Sequence, residues 1–306
     1  MNKLINSNNF CLSIIFFVFI CSRLIIFYFF GIEPSKTISQ YWQLFHLELL
    51  HKDLFNTLIY SHTQPFLWNL IVGGFLKLNN GNESFTIMSM LFFNFILSIL
   101  ILYYSYYILS YFNFSNLQKL ICVILLCIYP GLFFFENLIF YSQITCFLIF
   151  QVFFLFLKYI NTKNDYYEIL IYINFLVLGF IWTAFHPLII IITFCLIHFL
   201  NKKFPKIKSF IFLFTVLCVS ALPIVKNKII FGISSSGWTG FYLCQTIVFK
   251  ANIPECTHNV SSSTEFHQNE YFKKYKKDKD KLNHPNLTIG PLSKRHNLGF
   301  IIASDN

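Results

Sequence analysis

Two carboxylates and a histidine stand out from this chain by type and by place: Glu33, Glu136 and His62. Glu33 is followed by Pro34, which holds it off a regular helix. A carboxylate at the mouth of an apolar segment is partly desolvated, which suits it to accept a proton from a reacting hydroxyl; its other reading is an interfacial acid facing water. Glu136 stands alone among aromatics in "YPGLFFFENLIFYSQ", where two apolar runs meet. An ionisable residue at that depth is costly and marks a functional site, or else it is matched by a base such as Arg23, the one charge within the first apolar run. For Arg23 itself, snorkelling and an acidic partner are both open. His62 belongs to a polar cluster, "SHTQPFLWN", with Gln64 and Pro65.

A further group follows the last apolar run. In "KNKIIFGISSSGWTGF", Lys226 and Lys228 precede a Gly/Ser-rich turn, residues 232–240, that holds Ser235 and Trp238. Two cations and several free backbone donors are what a phosphate group at a membrane surface needs; a flexible loop with an interfacial tryptophan is the other reading. The stretch lacks the Gly-Lys-Ser ending of a nucleotide P-loop. Glu48 and Asp53 share a helix-like stretch with Lys52 and read as solvated charges.

These residues must be positioned by membrane-type elements. With 56% apolar, 20% aromatic and only 12% charged residues, the 306-residue chain has too little polar side chain to cover a water-soluble globule. The expected fold is all-α, a polytopic transmembrane helix bundle of about seven spans, each needing about 20 apolar residues. Spans are expected over residues 10–30, 85–111, 117–134, 140–160 and 210–225, and the stretch 168–200 reads as two short spans that meet at "AFHP", near His186 and Pro187. Residues 65–78, too short for a span and carrying Asn69 and Lys77, read as a helix lying in the outer interface. The layout is a transmembrane domain over 1–225 and an outward-facing polar region over 226–306.

Charge fixes the orientation. Placing the N-terminus inside gives the inner connections Lys3, Lys119, Lys158, Lys163 and the cluster Lys202, Lys203, Lys206 and Lys208, while the short outer connections carry no lysine or arginine. The net charge of +10 therefore follows membrane topology, and no aromatic-basic motif calls for nucleic acid. The long loop 31–84, the loop holding Glu136 and the region 226–306 are then expected on one outer side. Seven of the nine cysteines fall in apolar runs and form no zinc or redox pattern; Cys244 and Cys256 suit a disulfide in an oxidising compartment. The first run is too long for a signal-peptide core, so an uncleaved span is expected. Of four Asn-x-Ser/Thr triplets, those at Asn82, Asn259 and Asn286 face outward in this layout and Asn113 does not. The lysine-rich "YFKKYKKDKDKLNHPN" reads as a solvated loop within reach of anionic headgroups.

The order of these features resembles the GT-C superfamily of polytopic glycosyltransferases, which includes protein O-mannosyltransferases and aminoarabinose transferases. Over about the first 200 residues, "SHTQPFLWN" takes the place of that family's histidine-proline-proline motif and "YPGLFFFENLIFY" that of its second acidic loop. The family usually carries an aspartate in the first loop, where this chain has Glu33 with "QYW" and Tyr41 downstream; Thr63 and Gln64 split the histidine motif. The resemblance is to a shortened or divergent member, with 226–306 as the start of a larger outer domain. It implies transfer of a sugar from a polyprenyl-phosphate donor to an acceptor at the outer face of a membrane, the inner membrane if the source is bacterial. It also implies Glu33 as base, Glu136 as a group that orients the acceptor or holds a divalent metal if one is used, and Tyr41, His62, Gln64, Lys226, Lys228, Ser235 and Trp238 at the substrate. No other cofactor is implied; membrane lipids are the expected surroundings. A non-catalytic membrane protein, either a carrier of lipid-linked substrates or a degenerate member of the family, is the competing expectation.

Overall fold

A computed structural model describes residues 8–30, 38, 47–59, 66–181, 187–201 and 207–231, with no strand among them. The helices are α1 (Asn8–Phe30), α2 (Leu47–Lys52), α3 (Leu54–Ile59), α4 (Phe66–Leu78), α5 (Glu83–Ser110), α6 (Asn116–Cys127), α7 (Pro130–Glu136), α8 (Ser142–Thr162), α9 (Asp165–Ile181), α10 (Pro187–Asn201) and α11 (Ile207–Phe231). The chain divides into two compact units, one of residues 1–41 and 78–220, the other of residues 42–77 and 221–306.

Among the described residues, four helices are long and apolar enough to cross a membrane: Asn8–Phe29, Glu83–Ser110, Ser142–Thr162 and Ile207–Lys226. A fifth crossing is reached only by joining α6 and α7, which are bent by 54°. The single span expected over 117–134 is thus two helices, and the reason is local. Pro130 has no N–H to donate and is placed at the start of α7, where none is needed, so the helical ladder stops at Ile128 and restarts after Tyr129. Residues 168–200 do form two helices, with Pro187 opening α10, but neither α9 (17 residues) nor α10 (15 residues) has the length of an ordinary span. His186 lies outside the described residues.

Helix ends follow their cap residues. Asn82 Oδ1 accepts from Phe85 N at the start of α5, and Ser115 and Gln118 form a reciprocal capping box at the start of α6. Lys163, in the left-handed region at φ 55°, closes α8.

In the first unit, α5 packs against α8, α8 against α9, and α1 against α6. The buried faces run at helical spacing. Along α1 the stripe is Cys11, Ile15 and Phe19, continued one turn later by Arg23, and it meets Ile101, Leu102 and Tyr106 of α5 and Val123 and Cys127 of α6. The opposite face of α1 exposes Phe16, Phe17 and Leu24, as a lipid-contacting helix does and a helix in water does not. A second core joins Tyr159 of α8, Ile171 and Tyr172 of α9, Phe194 of α10 and Val216 of α11.

In the second unit, α4 begins one residue after Pro65 and ends at Leu78, the limits expected for the interfacial helix. Its buried side chains include Trp68, Asn69, Val72 and Leu76, and the side chain of Leu54 on α3 fills the space left by Gly73. α11 continues as helix to Phe231, past the end expected at residue 225.

Candidate functional site

The bend between α6 and α7 gathers the strongest polar contacts among the described residues. Arg23 enters from α1 because the Cys11, Ile15, Phe19 stripe carries its side chain inward. Its Nη2 donates to Glu136 Oε2 at 2.8 Å, and its Nε lies 3.2 and 3.3 Å from Oε2 and Oε1, so the guanidinium and carboxylate meet edge to edge. Arg23 and Glu136 are only 7% and 5% exposed.

The other edge of the guanidinium serves the break itself. Nη1 donates to the carbonyl of Cys127 at 2.6 Å and to Ser22 Oγ at 3.0 Å, while Ser22 donates to the Phe19 carbonyl at 2.7 Å. Cys127 is the last residue of α6, where carbonyls have lost their helical partners, and in an apolar surrounding each orphan is costly. Arg23 therefore caps α6 and neutralises Glu136 at the end of α7 with one side chain. The Phe19 ring, 4.2 Å from the guanidinium carbon, covers one of its faces.

A second side chain holds the far end of α7. Asn94 of α5 donates to the carbonyls of Leu138 at 2.8 Å and Glu136 at 3.3 Å, both beyond the reach of the α7 ladder. One turn along α5, Ser98 accepts from Gln143 Nε2 of α8 at 2.7 Å. Asn94 Oδ1 and Thr145 Oγ1 are buried without a hydrogen-bond partner. The result is a polar seam of Arg23, Glu136, Asn94, Ser98 and Gln143 through otherwise apolar helices.

Both Glu136 oxygens face Arg23, so the carboxylate is matched by a buried guanidinium. That is the pairing with Arg23 that the sequence left open beside a functional acid. Asn94 and Gln143 were not singled out in the sequence; their signal was an amide on the buried stripe of an apolar helix, at helical spacing from Ser98 in one case and at a helix start in the other.

Of the other expected site residues, Lys226 lies in α11, half-buried, and Lys228 belongs to the same helix. Glu33, Tyr41, His62, Gln64, Ser235 and Trp238 lie outside the described residues, as do Cys244 and Cys256. Among the described residues no group of three His, Cys, Asp or Glu side chains could hold a metal ion.

Compared with protein-family models, curated proteins and solved structures, the chain matches none of them.

Proposed function

We propose that this is a multi-pass membrane glycosyltransferase that moves a sugar from a polyprenyl-phosphate carrier to an acceptor at the outer membrane face, in the inner membrane if the source is bacterial. The observation that supports it is the treatment of the "YPGLFFFENLIFY" segment. A short helix is set at 54° to α6 and held by buried polar side chains on both sides of it, an arrangement that spends ionic contacts on holding one loop still.

In this reading Glu33 is the base. The acceptor oxygen forms its bond to the anomeric carbon as the carbon–oxygen bond to the carrier phosphate breaks; the acceptor proton passes to Glu33, and the bonding pair leaves on the polyprenyl phosphate. A single displacement inverts the anomeric carbon. Lys226, Lys228 and the 232–240 turn are assigned to the departing charge, and His62, Gln64 and Tyr41 to substrate binding, as the resemblance implies. Glu136 acts through Arg23: it positions the loop rather than touching the acceptor.

The carrier reading has one specific observation in its favour, since a Glu136 neutralised by Arg23 leaves Glu33 as the acid on which catalysis rests. Turnover of a polyprenyl-phosphate sugar in membranes that contain the protein separates the two. The expected result is transfer in wild type and its loss by about 100-fold or more in Glu33→Gln, the scale of a missing general base. Full transfer by that variant removes Glu33 as the base, and no transfer by wild type removes the glycosyltransferase reading.

A further inference from the structure

Away from the bend, a second group of ionisable side chains is buried in the first unit, between α9 and α10. Glu168 lies in the first turn of α9, 3% exposed, with Tyr172 fully buried one turn later and His198 near the end of α10. The Tyr172 hydroxyl donates to Glu168 Oε1 at 2.9 Å, and His198 Nε2 lies 3.3 Å from the same oxygen. That Nε2 is itself buried and makes no aligned hydrogen bond, so the imidazole is within ion-pair range but not locked in one geometry.

The walls are aromatic. Phe194 meets the His198 ring at 4.5 Å, and Phe194 and Phe212 lie 6.3 and 6.1 Å from the Tyr172 ring. The neighbouring ionisable groups can be taken element by element. From α8, Tyr159 acts electrostatically on Tyr172, and the Lys158 ammonium is placed over the rings of Phe154 and Tyr167 at 5.9 and 5.8 Å. From α9 comes Tyr167 and from α10 comes Cys195. α11 contributes Phe212 and Val216 to this core and exposes Lys208. His198 is within ion-pair distance of Glu168, and Asp165 shares the first turn of α9 with that carboxylate.

Burial makes the proton count of this pair matter. With one proton, the pair is either a carboxylate with an imidazolium or a carboxylic acid with a neutral imidazole, and both are neutral overall. With none, a buried carboxylate is left with the Tyr172 phenol as its hydrogen-bond donor. With two, an imidazolium is left without a counter-charge. A buried unpaired charge of either sign is strongly disfavoured.

We infer that Glu168 and His198 form a single-proton binding site that ties α10 to α9, so that loss of the proton releases α10. Imidazole is the side chain suited to exchange a proton near neutral pH. The direction follows from the charge count: the tie is present with the proton bound and weakens as pH rises.

Hydrogen exchange on the full chain in detergent micelles, corrected for the intrinsic pH dependence of amide exchange, tests this. Between about pH 5 and about pH 9, protection of the α10 amides is expected to fall by about tenfold or more, the equivalent of one unit of proton linkage, while α5 stays protected. Glu168→Gln, which needs no proton, and His198→Arg, which supplies a fixed cation, should each flatten the profile. Tyr172→Phe should keep the step. A flat profile in wild type overturns the inference whatever the variants do, and so does an unchanged step in whichever of Glu168→Gln and His198→Arg folds.

Discussion

Breaking the Arg23–Glu136 pair one side at a time should cost far more than removing it whole. Arg23→Met leaves the Glu136 carboxylate, 5% exposed, without a counter-charge and leaves the Cys127 carbonyl at the end of α6 without its donor. Stranding a buried charge costs about 3–5 kcal/mol, and an orphaned buried carbonyl about 1–3 kcal/mol. The two penalties share one side chain and do not simply add, so about 4–6 kcal/mol is the expected loss. Glu136→Leu, which strands the guanidinium instead but keeps its bonds to Cys127 and Ser22, should lose about 3–5 kcal/mol. The double variant has no buried charge, and only the carbonyl penalty remains. It should lie within about 1–3 kcal/mol of wild type. Reversible unfolding of the purified chain in mixed micelles measures all four states, and each single variant should melt on the order of 10 °C below wild type. The reasoning fails if either single change costs under about 1 kcal/mol, or if the double loss equals the sum of the singles, because the coupling energy would then be absent.

Three further outcomes are expected. Asn94→Ala should destabilise by about 1–3 kcal/mol in the same unfolding assay, since the Glu136 carbonyl loses its side-chain donor and the Leu138 carbonyl keeps only the Phe140 N–H. Glu136→Gln should lower sugar transfer only as far as it lowers the amount of folded protein, whereas Glu33→Gln should abolish turnover at normal folded yield; kinetics normalised to monodisperse protein distinguish them. Lys163→Cys, at the exposed left-handed end of α8, should react with a membrane-impermeant maleimide only from the lysine-rich inner face, and labelling from the outer face would reverse the orientation.

Hydropathy made the long helices legible, because a run of about 20 apolar residues has few other fates. At residues 117–134 it did not register the bend, for which "YPG" carried the signal: the apolar count stayed high through Pro130, but the backbone ladder could not continue. Composition in a window does not register a missing donor. Glu136 was legible as unusual, and Arg23 as its candidate partner, yet the two are 113 residues apart and only packing shows which reading holds. Asn94, Gln143 and the Glu168–Tyr172–His198 group were invisible for a different reason. Each polar residue lies singly in an apolar helix, and its meaning comes from what another helix brings opposite.

The positions of those polar residues carry the last step. In an apolar surrounding, a continuous helix satisfies its own backbone and needs no side chain to do so; a broken one leaves carbonyls that must find donors. Arg23 supplies a donor at the end of α6, to Cys127, and Asn94 at the end of α7, to Glu136 and Leu138. Glu136 then follows as the counter-charge that lets a guanidinium be buried there at all. On this reasoning the acid is a consequence of the bend, and the bend is what the chain maintains. A catalytic assignment that rests on Glu136 as a free carboxylate is thereby weakened, and the weight of the proposed chemistry moves to Glu33 and the loop that follows it. The double variant decides the matter functionally: if Arg23→Met with Glu136→Leu folds and still transfers sugar, the pair serves architecture alone. If it folds and transfer is lost while Glu33 is intact, the pair serves the reaction beyond folding, and architecture alone does not account for it.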